Sequence, residues 1–395
     1  MNRARDSEVI VIGLGGMGLA ARRELARRGV RVLGLEQHTI GHALGSSHGG
    51  TRVVRQAYFE HPDYVPLLRR AMDGFLRLEQ ESGLALLERC GVVIVGGLDS
   101  SLISASAGAA AAHGIEVERL EGTVLRARLP QFFAKDDVGP SLGLLEPGGG
   151  FVRPERVLRA LAMLSMRDGA RLRERVPVRS WRTTSDGVEV EAGDERFRAN
   201  RVVITAGAWN PAMLVAREAR PGPLPLTAVR QVQSWLRPHE PRLADAARFP
   251  AWLVDRGEGA APLYGVPIDA AATPDEPGFG CAKVAVHGEG EPCDPDRVDR
   301  TVSDAELTAI EALARQHLPG LPGRLESARV CLYTNSPDGH FLIDRHPLDE
   351  RVAIAAGFSG HGFKFVPVVG EALADLATTG RTDLPIGFLA ASRFS

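Results

Sequence analysis

The hexapeptide Gly13-Leu-Gly15-Gly16-Met17-Gly18 carries glycine at its first, third and sixth positions, directly after the apolar run Val9–Ile12. Glycine at the first position permits a tight turn, and at the third lets a phosphate reach the backbone. At the sixth it lets the following helix pack closely on the strand. The free amides and positive dipole end of that helix suit a pyrophosphate. Glu36, 18 residues beyond Gly18, closes a second apolar run and is placed to hold ribose hydroxyls. The pattern points to a dinucleotide. It does not separate NAD from FAD, but an acid at Glu36 disfavours the 2′-phosphate of NADP.

A second group of residues stands out by scarcity. Of 47 basic residues only three are lysine (Lys135, Lys283 and Lys364), so 44 are arginine. An ammonium is a compact charge whose pKa adjusts on burial, whereas a guanidinium stays charged. The surviving lysines therefore mark positions to watch. Lys283 and His287 stand four apart around Val284-Ala-Val286, so in a strand both face one side. Lys135 falls in a loop-like Lys-Asp-Asp stretch. Arg52 and Arg55, three apart, read by themselves as a solvated or salt-bridged pair. Cys90, Cys281, Cys293 and Cys331 are too few and scattered for a disulfide scaffold, and Cys331 on an apolar run reads simply as buried. No CxxC or HExxH spacing occurs, so no metal is expected.

The elements that must position these residues follow from apolar patterning. Val9–Ile12, the helical stretch Met17–Arg28 and the strand Arg31–Leu35 make a βαβ unit. Helices are predicted over 65–88, 101–112, 154–167 and 304–317, and another from near Gly362. Strands are predicted over 92–95, 188–191, 201–205 and 352–356. Pro267–Phe279 reads as a surface loop. Two further glycine-rich strand ends, Ile204-Thr-Ala-Gly-Ala-Trp209 and Ala355-Ala-Gly-Phe-Ser-Gly-His-Gly-Phe-Lys364, suggest that the chain returns to the same dinucleotide.

A formal net charge of −2 gives no basic excess for nucleic acid. No apolar run approaches the roughly 18 residues of a membrane span, and no targeting signal is recognised, so cytoplasm is the expected compartment.

The segments Gly45-Ser-Ser-His-Gly-Gly-Thr-Arg-Val-Val-Arg55, Ala57-Tyr-Phe-Glu60 and Asp63-Tyr-Val-Pro66 then resemble the monomeric sarcosine oxidase and N-methyltryptophan oxidase family. Tyr264-Gly-Val-Pro267, Lys283-x-x-x-His287, Val330-Cys-Leu-Tyr-Thr334 and Gly357-Phe-Ser-Gly-His-Gly-Phe-Lys364 continue the match in family order. The resemblance implies an FAD enzyme that oxidises secondary amino acids (sarcosine, other N-methyl amino acids or cyclic imino acids). The products would be an imine, then an aldehyde or ketone, and hydrogen peroxide. It implies that Cys331 tethers FAD through a thioether and that Arg55 and Lys364 hold the substrate carboxylate. Arg52 would lie against the flavin. Lys283 would promote the reaction with dioxygen, and His287, Tyr264, Tyr333 and Gly360 would face the substrate. The implied cofactor contacts are Gly13, Gly15, Gly16, Met17, Gly18 and Glu36, then Ser47, His48, Thr51 and Arg52, then Val176, Gly207 and Trp209. Cys331, Gly360, Gly362, Phe363 and Lys364 complete them. Two departures are noted: Asp269–Pro277 reads as an insertion near the substrate cavity, and Gly50 stands where sarcosine oxidases often carry an acid.

The expected fold is α/β. A discontinuous Rossmann-like FAD-binding domain (1–92, 147–220 and 325–395) joins an α+β substrate domain with a mixed or antiparallel sheet (93–146 and 221–324). The chain is expected to act as a monomer on a small amino acid and molecular oxygen. The alternatives are a flavin dehydrogenase passing electrons to a partner, an NAD-dependent dehydrogenase, and a non-catalytic dinucleotide sensor.

Overall fold

A computed structural model describes residues 7–134, 139–214, 224–288 and 290–394. Val9–Ile12 has no polar position, and all four residues are buried, as befits a strand covered on both faces. It pairs in parallel with Val32–Leu35 on one side and Arg201–Ile204 on the other. These strands centre a six-stranded sheet ordered Leu342–His346, Asp349–Ala356, Arg201–Ile204, Val9–Ile12, Val32–Leu35, Arg171–Arg173. Only the Leu342–His346 edge strand runs antiparallel to its neighbour.

Alternation divides the central strand between two cores. Val9 and Val11 pack with Leu19 and Leu25 of helix Gly16–Arg27, Leu161 of helix Pro154–Arg167 and Val369 and Leu373 of helix Val366–Thr379. Ile10 and Ile12 pack with Trp181, Val190 and Phe197 of a three-stranded antiparallel sheet. Each fully buried aliphatic side chain contributes about 1.5–3 kcal/mol, so the turn after Ile12 rests on a stiff support.

The second large sheet has nine strands, ordered Glu291–Pro292, Thr227–Pro238, Ala282–Val286, Leu263–Val266, Ala251–Val254, Val92–Gly96, Leu142–Glu146, Glu118–Glu121. The ninth strand, Gly323–Asn335, also pairs along Thr227–Pro238. It is mixed, because Ala251–Val254 runs parallel to Val92–Gly96 while its other pairings are antiparallel. Register decides what each face carries. Gln233 opposes Ala285, Trp235 opposes Lys283 and Tyr264 opposes Ala285; Gln231 opposes Cys331. Side chains alternate at a period of two, so Gln231, Gln233, Trp235, Lys283, Tyr264, Cys331 and Tyr333 share one face. Val232, Val284, Leu263 and Val286 take the other and pack with Ile310 and Ala314 of helix Asp304–His317. A small sheet of Arg52–Val54, Gly150–Val152 and Leu87–Glu88 carries Arg52.

Some boundaries differ from expectation. The helix predicted over 65–88 is Tyr64–Ser82, ended by Gly83 at φ 69°, the left-handed residue that stops a helix. The last helix is preceded by the 3-10 turn Phe363–Phe365. The domain boundary at 325 falls inside strand Gly323–Asn335, which lies in the nine-stranded sheet; the parallel-type sheet resumes at Leu342. The boundary at 220 and Lys135 lie outside the described residues.

Candidate active site

The glycine hexapeptide opens a deep cleft at the carboxyl ends of the parallel strands. Gly13 has φ 85°, and a Cβ there would lie 2.7 Å from the Thr205 carbonyl oxygen; a Cβ on Gly18 would lie 1.9 Å from the Gly13 oxygen. Both positions therefore require glycine. Helix Gly16–Arg27 begins at Gly15, which has no side chain to cap it; the Gly16 N–H donates to Ser47 Oγ at 3.2 Å, and the helix end faces the cleft, where its dipole suits an anion. Glu36 accepts the Leu14 N–H at 2.7 Å and the His38 N–H at 2.9 Å, so its carboxylate is fixed at the cleft wall with lone pairs to spare.

Of the residues expected to touch the cofactor, Gly13, Gly15, Gly16, Met17, Glu36 and Ser47 line this cleft, as do Arg52, Val176, Gly207, Trp209, Gly360, Gly362 and Phe363. Gly18 does not; it sits behind the turn, against backbone. His48 is buried beside Gln233, and Thr51 lines a different cavity on the Lys283 side. Cys331 and Lys364 face the cavity that adjoins the cleft.

That adjoining cavity shares Arg52, Tyr333, Gly360 and Phe363 with the cleft. It gathers Arg55, Tyr264, His287, Cys331 and Lys364 from five separate stretches of chain. Gly360, at φ 79°, lets the Tyr333 ring close against it, since a Cβ would lie 2.3 Å from the ring. Arg55 is 3% exposed, bonded to the Ala57 oxygen and to Glu60 Oε2, both at 2.7 Å. Its guanidinium stacks 4.1 Å from the Phe59 ring centre and 4.5 Å from that of Tyr58. Lys364 Nζ donates to the His361 oxygen at 2.9 Å and to the Tyr58 hydroxyl at 3.4 Å. The Tyr58 hydroxyl lies 2.6 Å from His361 Nδ1, and His361 Nε2 lies 3.0 Å from the Gly339 oxygen. That carbonyl requires the His361 proton on Nε2, so Tyr58 donates to Nδ1 and presents its oxygen to Lys364.

Burial sets the charges here. It lowers the Lys364 pKa to about 7, opposed by Glu60 and reinforced by Arg55. It lowers His287 to about 4 and His361 to about 3, so both imidazoles are neutral near pH 7. Burial pushes Tyr264 up, with Arg52 opposing, and Tyr264 stays a phenol. Burial also works to raise Glu60, but Arg55, then His361 and Lys364, outweigh it and hold the carboxyl at about 2.

Lys283 is on the same sheet face but on another side of Arg52. It is 2% exposed, and its ammonium donates to the Gly49 oxygen (2.5 Å), the Thr51 oxygen (2.8 Å) and Gln233 Oε1 (3.0 Å). Burial, then the Arg52 charge, holds its pKa well below that of an ordinary lysine, with Glu155 opposing. A narrow cavity beneath it is closed by the Asp269–Pro277 loop. Arg153 grips Asp269 through two bonds of 2.6 Å, and Arg156 grips Glu276 through two of 2.7 Å. The loop was expected at the substrate cavity; it instead covers the Lys283 side, because those two arginines open helix Pro154–Arg167 beneath it.

Residues 8–376 match the family model described as FAD dependent oxidoreductase (DAO). The chain belongs to this FAD-dependent oxidoreductase family. It is 41% identical over 382 residues to a monomeric sarcosine oxidase of Streptomyces avermitilis, covering 96% of each chain. It is 33% identical to an N-methyl-L-tryptophan oxidase of Salmonella arizonae, over 98% of this chain and 99% of that one. Its fold is similar to that of NikD, described as an unusual amino acid oxidase essential for nikkomycin biosynthesis, in its open form. The TM-score is 0.85, with 25% identity and 98% of each chain covered.

The residues present fit FAD. The glycine turn admits backbone approach, the helix N-terminus beside Ser47 suits phosphates, and Glu36 faces the cleft for ribose hydroxyls. His38 Nε2, buried and without a hydrogen-bond partner, belongs to a ring packed on His42 and Trp209, both of which line the cleft.

Four residues of this FAD enzyme escaped the sequence reading: Glu60, Gln233, Tyr58 and His361. Tyr58 and Glu60 lie within the Ala57-Tyr-Phe-Glu60 motif, and His361 lies beside Lys364, so neighbouring residues marked three of them. Gln233 had no signal, because only strand register brings it beside Lys283 and Arg52. No metal-binding cluster of three or more groups occurs among the described residues, and no helix among them is long and apolar enough to cross a membrane.

Proposed function

We propose that the protein is an oxidase of secondary amino acids (N-methyl amino acids such as sarcosine, or cyclic imino acids) that returns its electrons to dioxygen as hydrogen peroxide. One observation carries the reading: two buried cations, Arg55 and Lys364, converge on a cavity that opens directly into the FAD cleft. FAD, when bound, accepts two electrons from the substrate C–N bond and delivers them to dioxygen.

The chain supplies the rest. Arg55 offers a planar fork and Lys364 a point charge, a pair suited to one carboxylate. Holding the carboxylate there orients the amine towards the cleft, and positioning of this kind lowers a barrier substantially. A neutral His287 and the Tyr264 phenol line the amine side without adding charge, which favours the deprotonated amine whose lone pair the reaction needs. Glu60, ionised and engaged by Arg55, is not placed to act as a carbon base. The buried Lys283 with Arg52 beside it supports the assignment of dioxygen as acceptor, because fixed cations stabilise the superoxide formed by a first electron transfer.

Cys331 is the proposed thioether tether. Its thiol is free, 3% exposed, faces the substrate cavity and lies 3.8 Å from Arg52 Nη2. The naming of its relatives as monomeric supports a monomer. The reading is tested by anaerobic mixing with sarcosine, N-methyltryptophan, proline and pipecolate, followed by admission of air. Bleaching by at least one of these, then recovery with stoichiometric peroxide, is expected. Bleaching without recovery would identify a dehydrogenase instead.

A further inference from the structure

Lys283 and Arg52 lie side by side and share acceptors. Arg52 Nη1 donates to the Thr51 oxygen at 2.9 Å and to Gln233 Oε1 at 3.4 Å, and both oxygens also accept from Lys283. Arg52 Nη2 completes the set with the Ser46 oxygen at 2.8 Å. Among the described residues neither cation makes an ion pair. The nearby carboxylate, Glu155, is turned away and accepts the Gly49 and Gly50 N–H groups at 2.6 and 3.1 Å. The direct hydrogen-bond acceptors of the two cations are thus neutral, and Glu155 acts on them only through space.

Gln233, 3% exposed, is the one side chain among the described residues that accepts from both cations. Its orientation is over-determined. Gln233 Nε2 lies 3.2 Å from His48 Nδ1, and His48 Nε2 lies 3.1 Å from the Gly45 oxygen. The carbonyl requires the His48 proton on Nε2, so Nδ1 accepts from the amide and Oε1 must point at the cations. Burial, then Arg52 and Lys283, keep His48 neutral, with a pKa of about 3. A Cβ on Gly49 would lie 2.3 Å from Oε1, so the amide takes this seat only because residue 49 is glycine.

A glutamate in this seat has the same shape and would pair with both cations, which is what stability alone favours, since buried charges without a counter-ion are costly. We infer that Gln233 is a positioning residue that clamps Lys283 to Arg52 as a neutral acceptor, so that their joint positive charge stays available to the anion formed at dioxygen. The inference rests on the oxidase reading above. In that reaction the reduced cofactor gives up two electrons; dioxygen takes them with two protons and leaves as hydrogen peroxide, the first electron making superoxide. A carboxylate at Gln233 would cancel the field that superoxide needs.

The test uses flavin-loaded protein and compares Gln233→Glu with Gln233→Met. Three quantities are read: the rate of anaerobic reduction by substrate, the rate of reoxidation by dioxygen, and the flavin midpoint potential. Gln233→Glu is expected to reoxidise at least about 10-fold more slowly, beyond any change in reduction, with a lowered midpoint potential. Gln233→Met removes the clamp but keeps the charges, so it is expected to reoxidise about 3-fold more slowly than wild type yet faster than Gln233→Glu. A side chain needed only as an anchor gives the reverse order, with glutamate rescuing and methionine failing, and that order overturns the inference. Wild-type reoxidation in Gln233→Met, read alone, also overturns it. Lys283→Met separates the two levels. If it reoxidises normally the oxidase reading of Lys283 fails; if it is slow while both Gln233 variants behave as wild type, only the role of Gln233 fails.

Discussion

Arg55 Nη2 and Glu60 Oε2 stand 2.7 Å apart in the cavity that adjoins the FAD cleft, with the arginine almost wholly buried. With Lys364 protonated, Arg55, Lys364 and Glu60 together carry a net charge of +1, which a single carboxylate neutralises. Glu60 is thus the counter-ion of Arg55, and on the proposed function it competes with the substrate carboxylate for it. Replacing Glu60 by glutamine removes the competitor but leaves a buried guanidinium short of charge. Glu60→Gln is expected to bind a carboxylate inhibitor such as acetate about 10-fold more tightly. Without ligand it should melt at a lower temperature, because breaking one side of a buried pair is costly. A melting scan with and without acetate checks both: the ligand-induced rise should exceed that of wild type.

Lys364 makes carboxylate binding depend on pH. Burial lowers its pKa to about 7, against the opposing pull of Glu60. Below that value the ammonium is charged and attracts the carboxylate; above it the amine is neutral and the attraction is lost. Acetate affinity is therefore expected to fall as pH rises through about 7, by about 10-fold for one charge-assisted bond. Lys364→Met should bind weakly at every pH and lack this step. Titration of the flavin absorbance with acetate at several pH values provides the measurement.

At Lys283 three carbonyl oxygens, those of Gly49, Thr51 and the Gln233 amide, meet the three protons of an ammonium. A planar guanidinium cannot donate into that arrangement. Lys283→Arg and Lys283→Met are both expected to slow reoxidation by roughly 100-fold or more, while anaerobic reduction changes far less. Stopped-flow traces of the two half-reactions decide the point. Normal oxygen consumption by Lys283→Arg would reduce the scarcity of lysine in this chain to an accident of composition.

For Cys331 the readout is a colour. Acid precipitation of the wild-type protein should leave the yellow chromophore in the pellet, and precipitation of Cys331→Ala should release it to the supernatant. Release from wild type would refute the thioether.

Much of the fold was legible because local pattern and final structure agree. The run Val9–Ile12, the glycine turn and Glu36 are contiguous in sequence and assemble within one βαβ unit. Helices Pro154–Arg167 and Asp304–His317 carry their own start signals, a proline in one and the Ser303–Glu306 capping box in the other. Both described lysines are buried, which their scarcity alone did not foretell. What escaped depends on distance. Gln233 acquires its partners through pairing with residues some 50 positions away, and the Asp269–Pro277 loop is placed by arginines more than 100 residues earlier. Neither relation leaves a local trace in composition or period.

The shared face of the nine-stranded sheet also limits how this chain can change length. Inserting one residue within Thr227–Trp235 or Ala328–Asn335 would turn Gln233, Cys331 or Tyr333 inward and bring Val232, Val330 or Leu332 out to meet the cofactor. Beyond Trp235 the pairing already carries an irregularity, between Trp235 and Leu236, and such bulges absorb an extra residue. The sheet therefore has a rigid end and a forgiving end, and length variation among oxidases of this build should collect around Pro238 and Gly323.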